Sequence, residues 1–182
     1  FNNGRSVFFD AAIVDNIYGS VPNVVWNGGR NGPLDRMKVD DIRNLFEKYN
    51  EKDVRLRITF TNCMLKEEHL SDKYANDILQ LIDEMGFEVT LNSELLEGYI
   101  RDKYPNIPII SSTTKCILDI DELNREVSKD YKLVVLDYRK NADEPFLRKI
   151  TNPRKIELLL NEDCFNTCAQ RMRHYFKHYY GG

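Results

Sequence analysis

The stretch Ile156-Glu157-Leu158-Leu159-Leu160-Asn161-Glu162-Asp163-Cys164-Phe165-Asn166-Thr167-Cys168 contains the pattern that decides the fold. Its short apolar run, residues 156–160, predicts a buried strand, and polar residues with a Cys-x-x-x-Cys pair follow that strand. If a helical turn begins there, the two sulfurs lie on one face, with their Cβ atoms about 6 Å apart. Such a pair suits joint binding of a metal ion or an iron-sulfur cluster.

Working outward from this stretch, strands and helices alternate along the whole chain. We predict strands at residues 24–26, 54–60, 87–91, 107–110, 132–136 and 156–160. We predict helices at residues 38–49, 72–85, 94–104 and 121–129, helical turns at 145–150, and a last helix at 169–180. A repeat of about 25 to 30 residues per strand-helix unit predicts a parallel α/β architecture.

Two parallel architectures fit this alternation, a doubly wound sheet and a (β/α) barrel. A complete eight-unit barrel usually needs about 200 residues or more, so six units predict an incomplete or truncated TIM-type barrel. The barrel is favoured because polar residues collect at the predicted carboxyl ends of the strands, which form the functional face of such barrels. Residues 1–182 are expected to form one domain, with residues 1–22 as an N-terminal cap, and this domain can be a piece of a longer chain.

The composition excludes several classes of protein. With 42% hydrophobic and 30% charged residues among 182, the chain has enough apolar residues for a sizeable core. A net charge of −3 and a pI of about 5.7 argue against broad binding to nucleic acid. No apolar run approaches the roughly 20 residues of a membrane span, and the chain start has no signal-peptide pattern, so we expect a cytoplasmic protein.

All four cysteines lie at or after a predicted strand end. They are Cys63, Cys116, Cys164 and Cys168, and they follow the second, fourth and sixth predicted strands. In a barrel these positions converge over the carboxyl mouth, where four thiolates suit either tetrahedral zinc or a 4Fe-4S cluster. Structural zinc sites usually combine two local pairs, whereas two of these cysteines are distant in sequence, which favours a cluster. Zinc, or cysteines that are merely buried small hydrophobic residues, remain alternatives.

Strand-end cysteines closed by a Cys-x-x-x-Cys pair resemble the peptidase U32-like proteins. That group includes iron-sulfur members associated with oxygen-independent ubiquinone and RNA hydroxylation. The resemblance covers roughly residues 23–180 as a barrel, and it implies a 4Fe-4S cluster whose ligands are the four cysteines. A radical S-adenosylmethionine enzyme fits less well, because its third cysteine would have to stand where Arg171 does.

Other polar residues are candidates for catalysis and substrate binding. Asp137, at the fifth strand end, is a candidate general base, although it can instead cap a turn or pair with Arg139 or Lys140. Arg171 and His174 follow the cysteine pair and can line one helix face beside a cluster. Arg171 is then a candidate substrate ligand and His174 a candidate catalytic group. The alternative is a solvated basic helix. The further predicted substrate ligands, all at strand ends, are Asn27, Arg30, Asn62 and Asn92.

These features support two hypotheses of different classes. The first is an iron-sulfur oxidoreductase or hydroxylase-like enzyme that binds a small-molecule or modified macromolecular substrate at the barrel mouth. The second is a zinc-stabilised or metal-free binding module that forms part of a larger protein or complex. An incomplete barrel has open strand edges, so a partner chain or a missing domain is expected to cover them.

Overall fold

In the part of the chain that the structure describes, six parallel strands form one sheet in which every strand pairs with its neighbour in sequence. The computed structural model describes residues 15–27, 35–160, 165, 168–173 and 175. The strands are β1 (Asn16–Gly19), β2 (Arg55–Phe60), β3 (Glu88–Leu91), β4 (Ile109–Ser111), β5 (Leu133–Val135) and β6 (Ile156–Glu157). The spatial order β1 to β6 follows the chain, and the sheet curls into a half-barrel with helices between the strands. The prediction of an incomplete (β/α) barrel is therefore confirmed.

The helices lie between successive strands, and polar residues cap several of them. They are α1 (Val39–Asn50), α2 (Glu67–Leu70), α3 (Lys73–Glu84), α4 (Glu94–Lys103), α5 (Ile120–Ser128) and α6 (Glu144–Leu147). The Asp72 carboxylate accepts a hydrogen bond from the Ala75 amide at 2.8 Å and so begins α3. Gly86 follows α3 with φ of +66°, a conformation that glycine adopts without strain. Within the part of the chain that the structure describes, no helix has the length and apolarity needed to cross a membrane.

The outer face of the sheet is apolar and packs against the helices. Leu56, Ile58 and Phe60 alternate along β2 and belong to the same core as Ile78 and Leu79 of α3. Both α3 residues are fully buried. Burial of this face against the helices supplies the main hydrophobic stabilisation of the fold.

The inner face of the sheet carries a buried ion network. Arg57 of β2 and Glu88 of β3 are register partners, and the Arg57 Nε donates to Glu88 Oε2 at 3.2 Å. Arg57 Nη1 also lies 2.7 Å from both carboxylate oxygens of Glu157 on β6. Glu88 further contacts Lys132, which precedes β5. Arg57 and Glu88 are only 2% and 1% exposed.

The Arg57–Glu157 contact shows how strongly the sheet curls. Four strand spacings of about 4.8 Å would separate β2 from β6 by roughly 19 Å in a flat sheet. Two side chains that stand perpendicular to a flat sheet could not span that gap. Their direct contact across the concave face therefore requires the half-barrel curvature.

Two sequence predictions were wrong in detail. Residues 24–26, predicted as the first strand, lead into the 3-10 turn Val25–Asn27, and the first strand is β1. The apolar Trp26 fills the core, where it packs edge-on against Phe60 with ring centroids 5.3 Å apart. Such a short apolar run does not distinguish a strand from a buried turn. The other predicted strands and helices up to residue 150 match the structure to within a few residues at their ends, whereas most of the predicted helix at 169–180 lies outside the described residues.

The second error concerns the predicted buried strand at residues 156–160. The strand ends after Glu157, and Leu158 and Leu160 are 41% and 87% exposed. Within the predicted run 156–160, only Ile156 and Glu157 have ladder partners among the described residues, and both partners lie on β5. Local apolarity at 158–160 therefore does not reflect burial in this part of the chain.

We expect the ion network to be a main determinant of stability. Arg57→Leu removes the guanidinium that joins Glu88 to Glu157, while Lys132 and Arg55 still pair with Glu88, so the free energy of unfolding should fall by about 2 kcal/mol. Arg43→Leu is the matched control, because Arg43 pairs with Glu84 on the exposed surface and its loss should cost less than about 1 kcal/mol. Urea unfolding monitored by circular dichroism measures both. Equal losses in the two variants would contradict this assignment.

Candidate functional site

The loops that follow the strands form the carboxyl mouth of the half-barrel, and they carry three described cysteines. Cys63 follows β2, Cys116 follows β4 and Cys168 follows β6, and each is half-buried. Cys164 lies outside the described residues. Among the residues that the structure describes, no three His, Cys, Asp or Glu side chains come together as a metal site would require. Joint ligation by all four cysteines therefore stays a prediction.

The loop that carries Cys116 is held in a defined conformation. Ser111, Ser112 and the 3-10 turn Thr113–Lys115 lead from β4 to Cys116, whose φ of 56° and ψ of 40° are left-handed. This conformation costs roughly 1–2 kcal/mol for a residue other than glycine. The Ser112 hydroxyl accepts from the Thr114 amide at 3.1 Å, and Ser111 donates to Glu126 of α5 at 2.6 Å. These bonds, with an ion pair from Lys115 to Glu126, anchor the loop.

A buried arginine brings the loops after β4 and β5 together with the segment that contains Cys168. Arg171 is 3% exposed, and its guanidinium carbon lies 4.3 Å from the ring centroid of Tyr138 and 5.4 Å from that of Tyr175. Its Nε is 3.6 Å from Asp137 Oδ2, and its Nη2 is 3.4 Å from the Thr113 hydroxyl. We call this group the arginine cluster: Thr113, Cys116, Asp137, Tyr138, Arg139, Arg171 and Tyr175.

A second contact supports the same docking. The Tyr138 hydroxyl donates to the Phe165 carbonyl at 2.8 Å, and the Cys168 amide donates to the same carbonyl at 2.9 Å. Tyr138 therefore touches the segment at two points, once through Phe165 and once through Arg171. The described part of the Cys-x-x-x-Cys segment thus lies over the ends of β4 and β5.

Asp137, the predicted general base, is fully buried and its carboxylate is engaged by arginine. Arg139 donates from Nε to Oδ1 and from Nη2 to Oδ2, both at 2.8 Å. The Arg139 amide also donates to Asp137 Oδ1 at 3.0 Å, which caps the 3-10 turn Tyr138–Lys140. The alternative in which Asp137 caps a turn and pairs with Arg139 is therefore observed. These contacts favour a role for Asp137 in holding the loop after β5 over a role in proton transfer, and a catalytic role for Asp137 stays a prediction.

The electrostatic surroundings of Cys116 combine opposing effects. Burial raises the pKa of the Cys116 thiol, and the negative charge of Asp137 raises it further. The positive charges of Arg171 and Arg139, and a hydrogen bond with Arg171, act in the opposite direction without cancelling the increase. Because metals bind the thiolate, the two guanidinium groups assist any ligand role of Cys116.

The predicted substrate-binding amides hold the loops of the mouth. Asn62 donates to the Val25 carbonyl at 2.8 Å and accepts from the Met64 amide at 2.8 Å. Asn92 donates to the Thr114 hydroxyl at 2.7 Å. Asn27 is 3% exposed and donates to the Val21 carbonyl. A substrate role for these three residues stays a prediction.

Two further predicted site residues, Arg30 and His174, lie outside the described residues. Sequence reasoning did not include Thr113, Tyr138 or Tyr175 in the site. A usable signal existed for Tyr175, which stands four residues after Arg171 and so shares its face of a helical turn. Tyr138 directly follows Asp137, but no local pattern indicates that its ring covers an arginine distant in sequence.

Comparisons with known proteins bear on the fold. The chain matches no protein-family model, and no curated protein matches it. The solved structure of the U32 peptidase Mk0906 superposes on this half-barrel with a TM-score of 0.60. The fold is similar to that of a U32 peptidase. The match covers 92% of this chain and 70% of the U32 chain, at 14% sequence identity, so it supports a distant U32-like relationship in fold alone.

We expect the anchor of the Cys116 loop to make stability dependent on pH. Burial raises the pKa of Glu126, but hydrogen bonds from Lys115, Ser111 and Lys129 outweigh that effect and lower the pKa to about 2. Because this value lies below the ordinary 4.5, the carboxylate stabilises the fold above pH 4.5. That contribution is lost as the pH falls from 4.5 towards 2. Glu126→Gln should lower the free energy of unfolding at pH 7 by up to about 3 kcal/mol and flatten its decline in that window.

Urea unfolding at pH 7, 4.5 and 3 measures this effect. Glu144→Gln is the matched control, because Glu144 pairs with Arg148 at an exposed position of α6. The control should keep the stability profile of the parent chain. A Glu126→Gln variant with the same pH profile as the parent would show that Glu126 does not contribute as described.

Proposed function

We propose that this half-barrel is an iron-sulfur protein of the U32-like type, an oxidoreductase or hydroxylase-like enzyme whose substrate binds at the carboxyl mouth. In this proposal Cys63, Cys116, Cys164 and Cys168 hold a 4Fe-4S cluster. When bound, the cluster would supply one-electron chemistry at the mouth.

The observation that carries the proposal is the docking of the Cys-x-x-x-Cys segment next to the Cys116 loop. Cys168 stands three residues before Arg171, and the Arg171 side chain reaches Thr113, which lies in the turn directly before Cys116. Cysteines distant in sequence are thereby carried to the same end of the sheet. Cys63 emerges from β2 at that end as well.

The chemistry of four thiolates and the charge near Cys116 support a cluster. A cluster held by four thiolates is anionic, and its properties depend on nearby charge and hydrogen bonds. Arg139 and Arg171 supply two positive charges beside Cys116, against one negative charge from Asp137. The half-buried cysteines are sheltered from bulk water while still reachable from the mouth.

The residues of the chain would have distinct tasks around such a group. Tyr138 and Tyr175 cover the guanidinium of Arg171 and exclude water from this side of the mouth. Asp137 and Arg139 hold the loop after β5 in place. A small-molecule or modified macromolecular substrate would bind at the mouth, near Asn62 and Asn92. We further propose a cytoplasmic location, because thiols stay reduced there.

One observation favours the alternative of a zinc-stabilised or metal-free binding module within a larger protein or complex. In the part of the chain that the structure describes, β1 and β6 each have a strand neighbour on one side only. Unpaired strand edges are suited to a partner chain or a further domain. In this alternative the cysteines would be structural, and the half-barrel would serve as a docking unit.

We expect the anaerobically purified chain to be brown, with about four iron atoms and a similar amount of sulfide per chain. Cys116→Ala and Cys164→Ala should each lose the visible absorption and most of the iron, because each removes one of four ligands. Met172→Ala is the control, since Met172 also carries sulfur but is 47% exposed beside the arginine cluster. Absorption spectra with iron, sulfide and zinc analysis measure the outcome.

The metal content of the purified chain separates the two candidate functions. About one zinc per chain, lost in Cys116→Ala, would favour the zinc-stabilised module over the enzyme. A parent chain without any metal under anaerobic conditions would overturn ligation by the four cysteines. Far-ultraviolet circular dichroism of each variant checks that the half-barrel is retained.

A further inference from the structure

The arginine cluster connects three separate parts of the chain through one side chain. Arg171 contacts Thr113 after β4, Asp137 and Tyr138 after β5, and Tyr175 in its own segment. Sequence separation between Thr113 and Arg171 is 58 residues, so this contact is long-range. Together with the Tyr138 contact to Phe165, it connects the described part of the Cys-x-x-x-Cys segment to the sheet.

We propose that Arg171 is a positioning residue that fixes the described part of the Cys-x-x-x-Cys segment over the ends of β4 and β5, and so sets the place of Cys168 relative to Cys116. The inference rests on the proposed function for its consequence, which is joint ligation by these cysteines. The docking itself is independent of whether a metal binds.

The contacts of Arg171 are ones that a planar guanidinium makes and an ammonium group does not. The guanidinium lies over the rings of Tyr138 and Tyr175, its Nη2 donates to the Thr113 hydroxyl, and its Nε forms an ion pair with Asp137 at 3.6 Å. Arginine stacks on aromatic rings while it donates in fixed directions, whereas lysine is a flexible point charge. Charge alone should therefore not replace Arg171.

Burial argues against direct substrate binding by Arg171. The side chain is 3% exposed, and the rings of Tyr138 and Tyr175 lie against it. A substrate anion at the mouth would have to displace those contacts first. The predicted substrate role of Arg171 is thus less consistent with its surroundings than a positioning role.

Loss of Arg171 should leave the half-barrel folded. Asp137 keeps the two hydrogen bonds from the Arg139 side chain, so its buried carboxylate stays compensated. The loop after β4 keeps its own anchor through Glu126, and Thr113 still donates to the Leu136 carbonyl at 3.1 Å. The effect of a substitution is therefore expected to be confined to the segment around residues 165–175.

The test compares hydrogen exchange in the metal-free, reduced full chain and three variants. In Arg171→Gln, amide exchange in peptides covering residues 165–175 should accelerate about tenfold, as expected for loss of a buried ion pair and two cation–π contacts. Arg173→Gln is the matched control, because Arg173 is exposed on the same turn and contacts Gln170. Arg171→Lys should exchange like Arg171→Gln. Peptides from β2 and β3 should be unchanged in all three variants.

The same variants are then examined after anaerobic reconstitution with iron and sulfide. Arg171→Gln and Arg171→Lys should retain less iron, or shift the midpoint potential of the cluster, whereas Arg173→Gln should match the parent. Equal amide exchange rates at residues 165–175 in Arg171→Gln and Arg173→Gln would overturn the inference. Exchange in Arg171→Lys as slow as in the parent chain would overturn the role of the planar guanidinium. A parent chain that binds no iron while Arg171→Gln exchanges faster would overturn the proposed function and leave the positioning role supported.

Discussion

The contact between Arg57 and Glu157 is the interaction on which the shape of this protein depends. It joins the second strand to the sixth across the concave face, with Arg57 Nη1 2.7 Å from both carboxylate oxygens. Glu88 on the intervening β3 accepts a hydrogen bond from the Nε of the same guanidinium. A buried charge without a partner is costly, so the network favours the curled sheet over any flatter arrangement that would separate these groups.

The ion network and the arginine cluster hold different parts of the half-barrel. Arg57 and Glu88 lie in β2 and β3, Lys132 precedes β5 and Glu157 ends β6, so the ion network crosses the concave face between the strands. The arginine cluster lies beyond the carboxyl ends, where loops rather than strands must be held together. Because β4, β5 and β6 are neighbours in the sheet, the segments that follow them begin close together, and a single arginine joins them. The place of the candidate site therefore follows from the strand order and from these loop contacts.

Much of the fold was predictable because local patterns agree with it. The alternation of Leu56, Ile58 and Phe60 predicted β2, and the stop at Gly86 predicted the end of α3. The error at residues 24–26 has a physical cause, since Trp26 is apolar to fill the core between Phe60 and Tyr99. The error at residues 156–160 has another, since Leu160 follows an edge strand whose pairing has already ended. In both places burial depends on contacts with residues distant in sequence.

For the candidate site, the sequence by itself indicated the ends of β2, β3, β4 and β5, because strand and helix periods are local properties, whereas it wrongly placed Asn27 at a strand end. It thereby indicated the carboxyl mouth, the four cysteines and the alternative pairing of Asp137 with Arg139. Only the tertiary structure decided that Arg57 is buried, since its alternating pattern along β2 equally suits a solvated face. Only the tertiary structure decided that Arg171 contacts Tyr138 and Thr113. The burial of Arg57 depends on the curvature of the sheet, and the contacts of Arg171 depend on segments that are distant in sequence. Neither has a signature in any short stretch of sequence.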